Sequence, residues 1–98
     1  LYNVYKLAVA SNSRSEFVFK CLSILKIWQL ECVYTRDYGP AKPNPWMYQE
    51  CMRVTGSDSS NTIIFEDSDI GIKGAKASGA RVVPIKNSTD LIEKLREL

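Results

Sequence analysis

Thr62-Ile63-Ile64-Phe65 runs without a break into Glu66-Asp67 and then into Ser68-Asp69-Ile70-Gly71-Ile72-Lys73-Gly74-Ala75, and no other stretch constrains the fold as tightly. The β-branched and aromatic residues from Thr62 to Phe65 carry no charge, as expected of a parallel strand covered on both faces. The carboxylates that follow fall where an open α/β sheet delivers side chains into the crevice beyond its strand ends. Adjacent carboxylates repel, and a cation or basic group placed between them and another anion removes that cost. The pattern therefore points to a magnesium site at the end of a buried strand.

The rest of the chain alternates strand and helix around that stretch. Lys6 to Ala10 reads as a short strand that runs into Ser11-Asn12-Ser13-Arg14-Ser15-Glu16. Ser13 with Glu16 three residues on forms a capping box, so a helix begins there, with Phe17, Val18, Cys21, Leu22, Leu25 and Trp28 on one apolar face. A strand, a hydroxyl-rich turn and a helix start together aim free backbone N–H groups at an anion. Cys32 to Thr35 is the next strand, and a loop with Gly39, Pro40, Lys42 and Pro43 follows it. Asn44 and Pro45 read as the cap and first residue of a helix to about Val54, with Met47, Cys51 and Val54 inward and Gly56 turning the chain out. A helix from Asp69 to about Ser78 closes at Gly79, a strand spans Arg81 to Ile85, and Asn87-Ser88 caps a last helix with Leu91, Ile92, Leu95 and Leu98 on one face. Such alternation predicts one α/β domain with a Rossmann-like, three-layer parallel sheet over residues 1–98.

Composition narrows the function classes. Thirteen basic residues against eleven acidic ones, a net +2, with no basic run, give no electrostatic footprint for nucleic acid or a membrane surface. No apolar stretch reaches the roughly 20 residues of a membrane span, and the chain reads as soluble and cytoplasmic. Cys21, Cys32 and Cys51 are too widely spaced for a zinc site in a chain with no His, and read as buried thiols. Without His, any chemistry here runs on carboxylates, Lys, Ser or Cys.

Three of the predicted loops follow strands and carry Ser11-Asn12, Lys42 and Glu66-Asp67. In a parallel sheet with right-handed crossovers they share one edge. A hydroxyl with backbone donors, a lysine and a carboxylate pair suit phosphoryl transfer, where the work is positioning and charge neutralisation.

From Leu7 to about Ile85 the chain resembles the haloacid dehalogenase-like hydrolases, particularly their phosphatase and sugar-phosphomutase branch. Lys6 to Asn12 is similar to the second motif of that family, Ala41-Lys42-Pro43-Asn44-Pro45 to the third, and Glu66-Asp67-Ser68-x-x-Gly71-Ile72 to the fourth. The resemblance implies that Ser11, helped by the Asn12 backbone, binds the transferring phosphoryl group, that Lys42 neutralises it as the catalytic lysine, and that Asp67, with Glu66 assisting, holds Mg2+. It implies a small phosphorylated substrate and a magnesium-dependent phosphatase or phosphomutase working through an aspartyl-phosphate. The first motif of the family, an Asp-x-Asp that supplies the nucleophile, has no counterpart, since no Asp precedes Asp37. The expectation is a C-terminal portion of a larger enzyme, inactive alone, whose partner is an N-terminal segment of the same protein bearing the nucleophile strand and the cap. The alternative is a non-catalytic binding or structural module that keeps the fold. A receiver-type signalling domain would place its acidic pair after the first strand and its lysine after the last, which is not the order here.

Overall fold

The computed structural model describes residues 6–12 and 32–97. The helix expected after Ser13, with Arg14, Cys21 and Trp28, lies outside the described residues, and with it the layer that helix would supply.

Strand β1 (Ala8–Ala10) pairs in parallel with β2 (Cys32–Tyr34), Ala8 opposite Cys32 and Ala10 opposite Tyr34. Helix α1 (Trp46–Thr55) follows, then a 3-10 turn (Ser59–Asn61) and strand β3 (Ile63–Glu66). Helix α2 (Asp69–Ala77) leads to β4 (Arg81–Pro84), which pairs in parallel with β3, and α3 (Ser88–Arg96) closes the described chain. The parallel α/β class is as the alternation predicts. Among the described residues, however, the strands form two separate two-stranded sheets. Each strand is thus paired on one side only, and Ile63, Ile64 and Phe65 are half-buried where the apolar run predicted cover on both faces.

Glu66 occupies the last rung of β3, opposite Pro84, and its carbonyl accepts from Ile85 N at 2.8 Å. Asp67 is the first residue off the ladder. Successive side chains of a strand face opposite ways, and the two carboxylates accordingly separate, Glu66 buried and Asp67 exposed.

Helix α1 packs on β1 and β2, and α2 on β3 and β4. The start of α1 differs by one residue from the sequence reading. Pro45 is the N-cap, and Asn44 Oδ1 accepts from Trp46 N at 2.9 Å from just outside. A short carboxamide bonding the backbone two residues on is an Asx turn, which starts the helix without entering it. The buried stripe of α1 is Met47, Tyr48, Met52 and Thr55, with Cys51 half-buried; Val54, expected inward, is 43% exposed on its rim. On α3, Leu91 and Leu95 are half-buried while Ile92 is 51% exposed. The Asp58-Ser59-Ser60-Asn61 connection carries a reciprocal capping box between Asp58 and Asn61. No helix among the described residues is long and apolar enough to cross a membrane.

The end of α1 shows how local rules fix the sheet-to-helix geometry. Gly56 takes φ 70°, so its amide can turn back onto the Arg53 and Met52 carbonyls. Lys6, just before β1, donates to Thr55 O at 2.6 Å and places its charge at the negative end of the helix dipole. Gly56→Ala puts a Cβ into the left-handed region and should lower stability by about 1 kcal/mol, read as a shift in urea midpoint at unchanged slope. An unshifted midpoint would mean that the turn can be made another way.

Candidate active site

The loop between β2 and α1 carries Lys42, and Asn12 closes that loop onto the end of β1. Asn12 Oδ1 accepts from Lys42 N at 2.8 Å and its Nδ2 donates to Lys42 O at 3.3 Å. One carboxamide thus meets both backbone groups of one residue, as a neighbouring strand would. The Asn12 side chain is a clamp on Lys42. Ser11 itself prolongs the first sheet, its N–H donating to Tyr34 O at 2.9 Å.

Held at its backbone, Lys42 reaches across the gap between the sheets. Its Nζ donates to Ala10 O on β1 at 2.7 Å and to Glu66 Oε1 on β3 at 2.5 Å. The two side chains are 8% and 9% exposed, so this is a buried ion pair. Such a pair is tolerated only when the remaining donors and acceptors find partners. Tyr48 supplies one: its hydroxyl donates to Glu66 Oε1 at 2.6 Å, and its ring lies under Lys42 Nζ at 5.1 Å from the centroid. Burial, then the hydrogen bond and charge of Glu66, push the Tyr48 phenol far above its ordinary range, so the hydroxyl keeps its proton and donates it to the carboxylate.

Helix α2 closes the other side of the carboxylate. Ser68 caps it, accepting from Gly71 N at 3.0 Å, and Gly71 presents bare backbone to Glu66; a Cβ there would overlap the carboxylate. Gly74, one turn further, would carry its Cβ 3.1 Å from Pro43 O and 3.3 Å from the Tyr48 ring. The two glycines let α2 approach the Lys42 loop and α1 closely.

Asn12, Lys42 and Glu66 are therefore linked directly, and Ser11 adjoins them at the end of β1. Asp67 takes no part in that network and stands exposed at the start of α2. Tyr48 was not among the site residues expected from the sequence; its place on the inner face of the helix opened by Lys42-Pro43-Asn44-Pro45 is the signal that was there to find. The Gly71-x-x-Gly74 spacing likewise marks the closely packed side of α2.

The donor set available to a metal is all oxygen and carboxylate, which suits a hard cation such as Mg2+ that keeps several waters and takes one or two carboxylates plus phosphate. Asp67 is open to such an ion; Glu66 has Oε1 engaged by Lys42 and Tyr48. No group of three or more His, Cys, Asp or Glu among the described residues makes a closed cage. Burial, and then the neighbouring Cys32, push the Cys51 thiol far up, so it is not a nucleophile at neutral pH.

A sequence profile described as haloacid dehalogenase-like hydrolase matches residues 2–85. Glycerol-1-phosphate phosphohydrolase 1 of Saccharomyces cerevisiae is 32% identical over 94 residues, covering 88% of this chain and 38% of that protein. A CBBY-like protein of Arabidopsis thaliana is 32% identical over 92 residues, covering 89% of this chain and 28% of that one. A crystal structure from Thermotoga maritima, described as a beta-phosphoglucomutase, superimposes with a TM-score of 0.75 at 22% identity over 93% of this chain and 45% of its own. The chain thus spans less than two fifths of the length of these curated relatives.

The ion pair makes a definite prediction. Lys42→Met leaves Glu66 buried without its counter-charge and should cost about 3–5 kcal/mol of stability. Adding Glu66→Gln removes the orphaned charge while keeping an acceptor for Tyr48, so the double variant should be more stable than Lys42→Met alone. Urea unfolding of the three proteins at neutral pH checks this; a double variant no better than the single would show that Glu66 is not stranded by the loss of Lys42.

Proposed function

Since this chain belongs to the haloacid dehalogenase-like hydrolases, we propose that it is the C-terminal core of a magnesium-dependent phosphatase or phosphomutase acting on a small phosphate monoester. The observation that carries the reading is the buried Lys42 ammonium, held between the carboxyl ends of β1 and β3, the strands that run on into Ser11 and Asp67. A fixed positive charge in a poorly solvated place is what a migrating phosphoryl group needs, because its transition state spreads negative charge over three oxygens. The name of the yeast relative, a glycerol-1-phosphate phosphohydrolase, supports a small organic phosphate as the substrate class.

The roles follow from the donors. Lys42 has three N–H donors, two of them engaged by Ala10 O and Glu66 Oε1, and the third is directed by those two. It neutralises the phosphoryl oxygens and holds the attacking carboxylate beside them. The Ser11 hydroxyl and the Asn12 backbone bind the same oxygens, while the Asn12 side chain keeps Lys42 in place. Asp67, with Glu66 assisting, holds Mg2+, which when bound supplies further positive charge against the phosphate. The nucleophile is an aspartate outside these 98 residues, where the sequence offers no Asp-x-Asp after its first strand. This chain alone is then inactive.

The test is a hydrolysis assay with a generic phosphate ester, with and without magnesium, on this chain and on a longer one that carries Asp-x-Asp upstream. Activity confined to the longer chain and dependent on magnesium is the expected result. Activity of the 98-residue chain would overturn the account of the nucleophile, and an inactive longer chain would favour a non-catalytic module. In the active protein, Asp67→Asn should raise the magnesium requirement and lower kcat by about 10²-fold or more; unchanged kinetics would remove Asp67 from the metal site.

A further inference from the structure

Tyr48 is 5% exposed, and from α1 it touches both members of the buried pair. Its hydroxyl lies 2.6 Å from Glu66 Oε1 and 3.1 Å from Gly71 O. A phenol has one proton to give, and the nearer, charged acceptor takes it. Its ring face bears on Lys42 Nζ, a cation–π contact in a place with little water to weaken it.

Consider what Glu66 would do without that hydroxyl. It ends a strand, its side chain has free torsions, and Asp67 beside it adds a like charge. A cation arriving at Asp67 would draw both Glu66 oxygens toward itself and away from Lys42. Three contacts oppose this: Lys42 and Tyr48 both engage Oε1, and Gly71 gives the other side of the carboxylate a close seat against α2. Lys42 cannot do this alone, since a long flexible ammonium can follow the carboxylate as it swings. Tyr48 cannot follow, because its ring is packed against the place where a Gly74 Cβ would stand.

We propose that Tyr48 is a positioning residue of the phosphoryl-transfer site, pinning Glu66 Oε1 to Lys42 so that this oxygen serves the lysine and Asp67 becomes the principal cation ligand. The proposal rests on the function given above for its purpose, but its geometry can be tested without it. The protein then divides two adjacent carboxylates between two tasks, and the divider sits on a helix to which neither belongs.

The experiment is reductive methylation of lysines with formaldehyde and dimethylamine–borane as hydride donor in metal-free protein, followed residue by residue by mass spectrometry, in the parent and in Tyr48→Phe. The phenyl ring keeps the packing and the face toward Lys42 and removes only the hydroxyl. Lys42 should be modified about tenfold faster in the variant, the size of one lost hydrogen bond to a charged group, while Lys73, Lys76, Lys86 and Lys94 serve as unchanged references. An unchanged Lys42 rate in a folded variant overturns the proposal. Should Tyr48→Phe fail to fold, 3-fluorotyrosine at position 48 keeps the shape and makes a stronger donor; Lys42 should then react more slowly, and an unchanged rate again overturns the proposal. In a longer, active chain Tyr48→Phe should lower kcat about tenfold with KM within about twofold, because what is lost is the aim of Lys42 and not substrate contact. Faster methylation in a protein that proves inactive at every length would uphold the positioning role and sink the phosphatase reading; unchanged methylation in an active enzyme would do the reverse.

Discussion

A lysine and a glutamate with side chains 8% and 9% exposed set the terms for everything around them. Removing two charges from water costs several kcal/mol per ion, and their attraction offsets that only if the geometry is good and the other polar atoms are satisfied. The surrounding elements supply those conditions one by one. Asn12 fixes the lysine backbone, Ala10 accepts a second N–H, Tyr48 donates to the carboxylate, and the start of α2 closes behind it. No buried side-chain nitrogen or oxygen among the described residues lacks a partner. The pair also ties β1 to β3, which share no backbone ladder.

That tie explains why the aromatic residues cluster where they do. Tyr48 serves the pair, whereas Trp46, two residues earlier, turns the other way and meets Tyr34 at 5.4 Å in an edge-on contact, with Tyr38 completing the group at 6.1 Å from Tyr34. Gly39 is flattened against the Trp46 ring, where a Cβ would come within 2.6 Å. One face of the N-terminal turn of α1 thus stabilises the charged centre and the other the loop that delivers Lys42. Among the described residues, Met47 on the apolar side and Thr35 on the polar side are the largest side chains that are fully buried.

Much of this was legible in the sequence, for reasons that differ by residue. The strands, the left-handed Gly56, the Ser68 and Asn87 caps and the convergence of Ser11, Lys42 and Glu66 follow from short-range chemistry and from the rule that parallel strands deliver their ends to one edge. The separation of Glu66 from Asp67 was written there too, in the alternation of a strand, but reading the two as a pair hid it. Asn12 as a clamp on a residue 30 positions away, and Tyr48 as a donor to one 18 positions away, are long-range facts that no local pattern announces. Val54 was read inward from the apolar pattern alone, and the buried stripe of α1, formed by Met47, Tyr48, Met52 and Thr55, runs beside it.

Gly71 carries no functional group, yet the carboxylate of Glu66 lies where its side chain would begin. The site therefore depends on a hydrogen atom as much as on its charges. A single codon change to alanine at this helix turn, with lysine, glutamate and aspartate untouched, would push the carboxylate from its seat. A survey of variants that looked only for lost acids and bases would overlook this position.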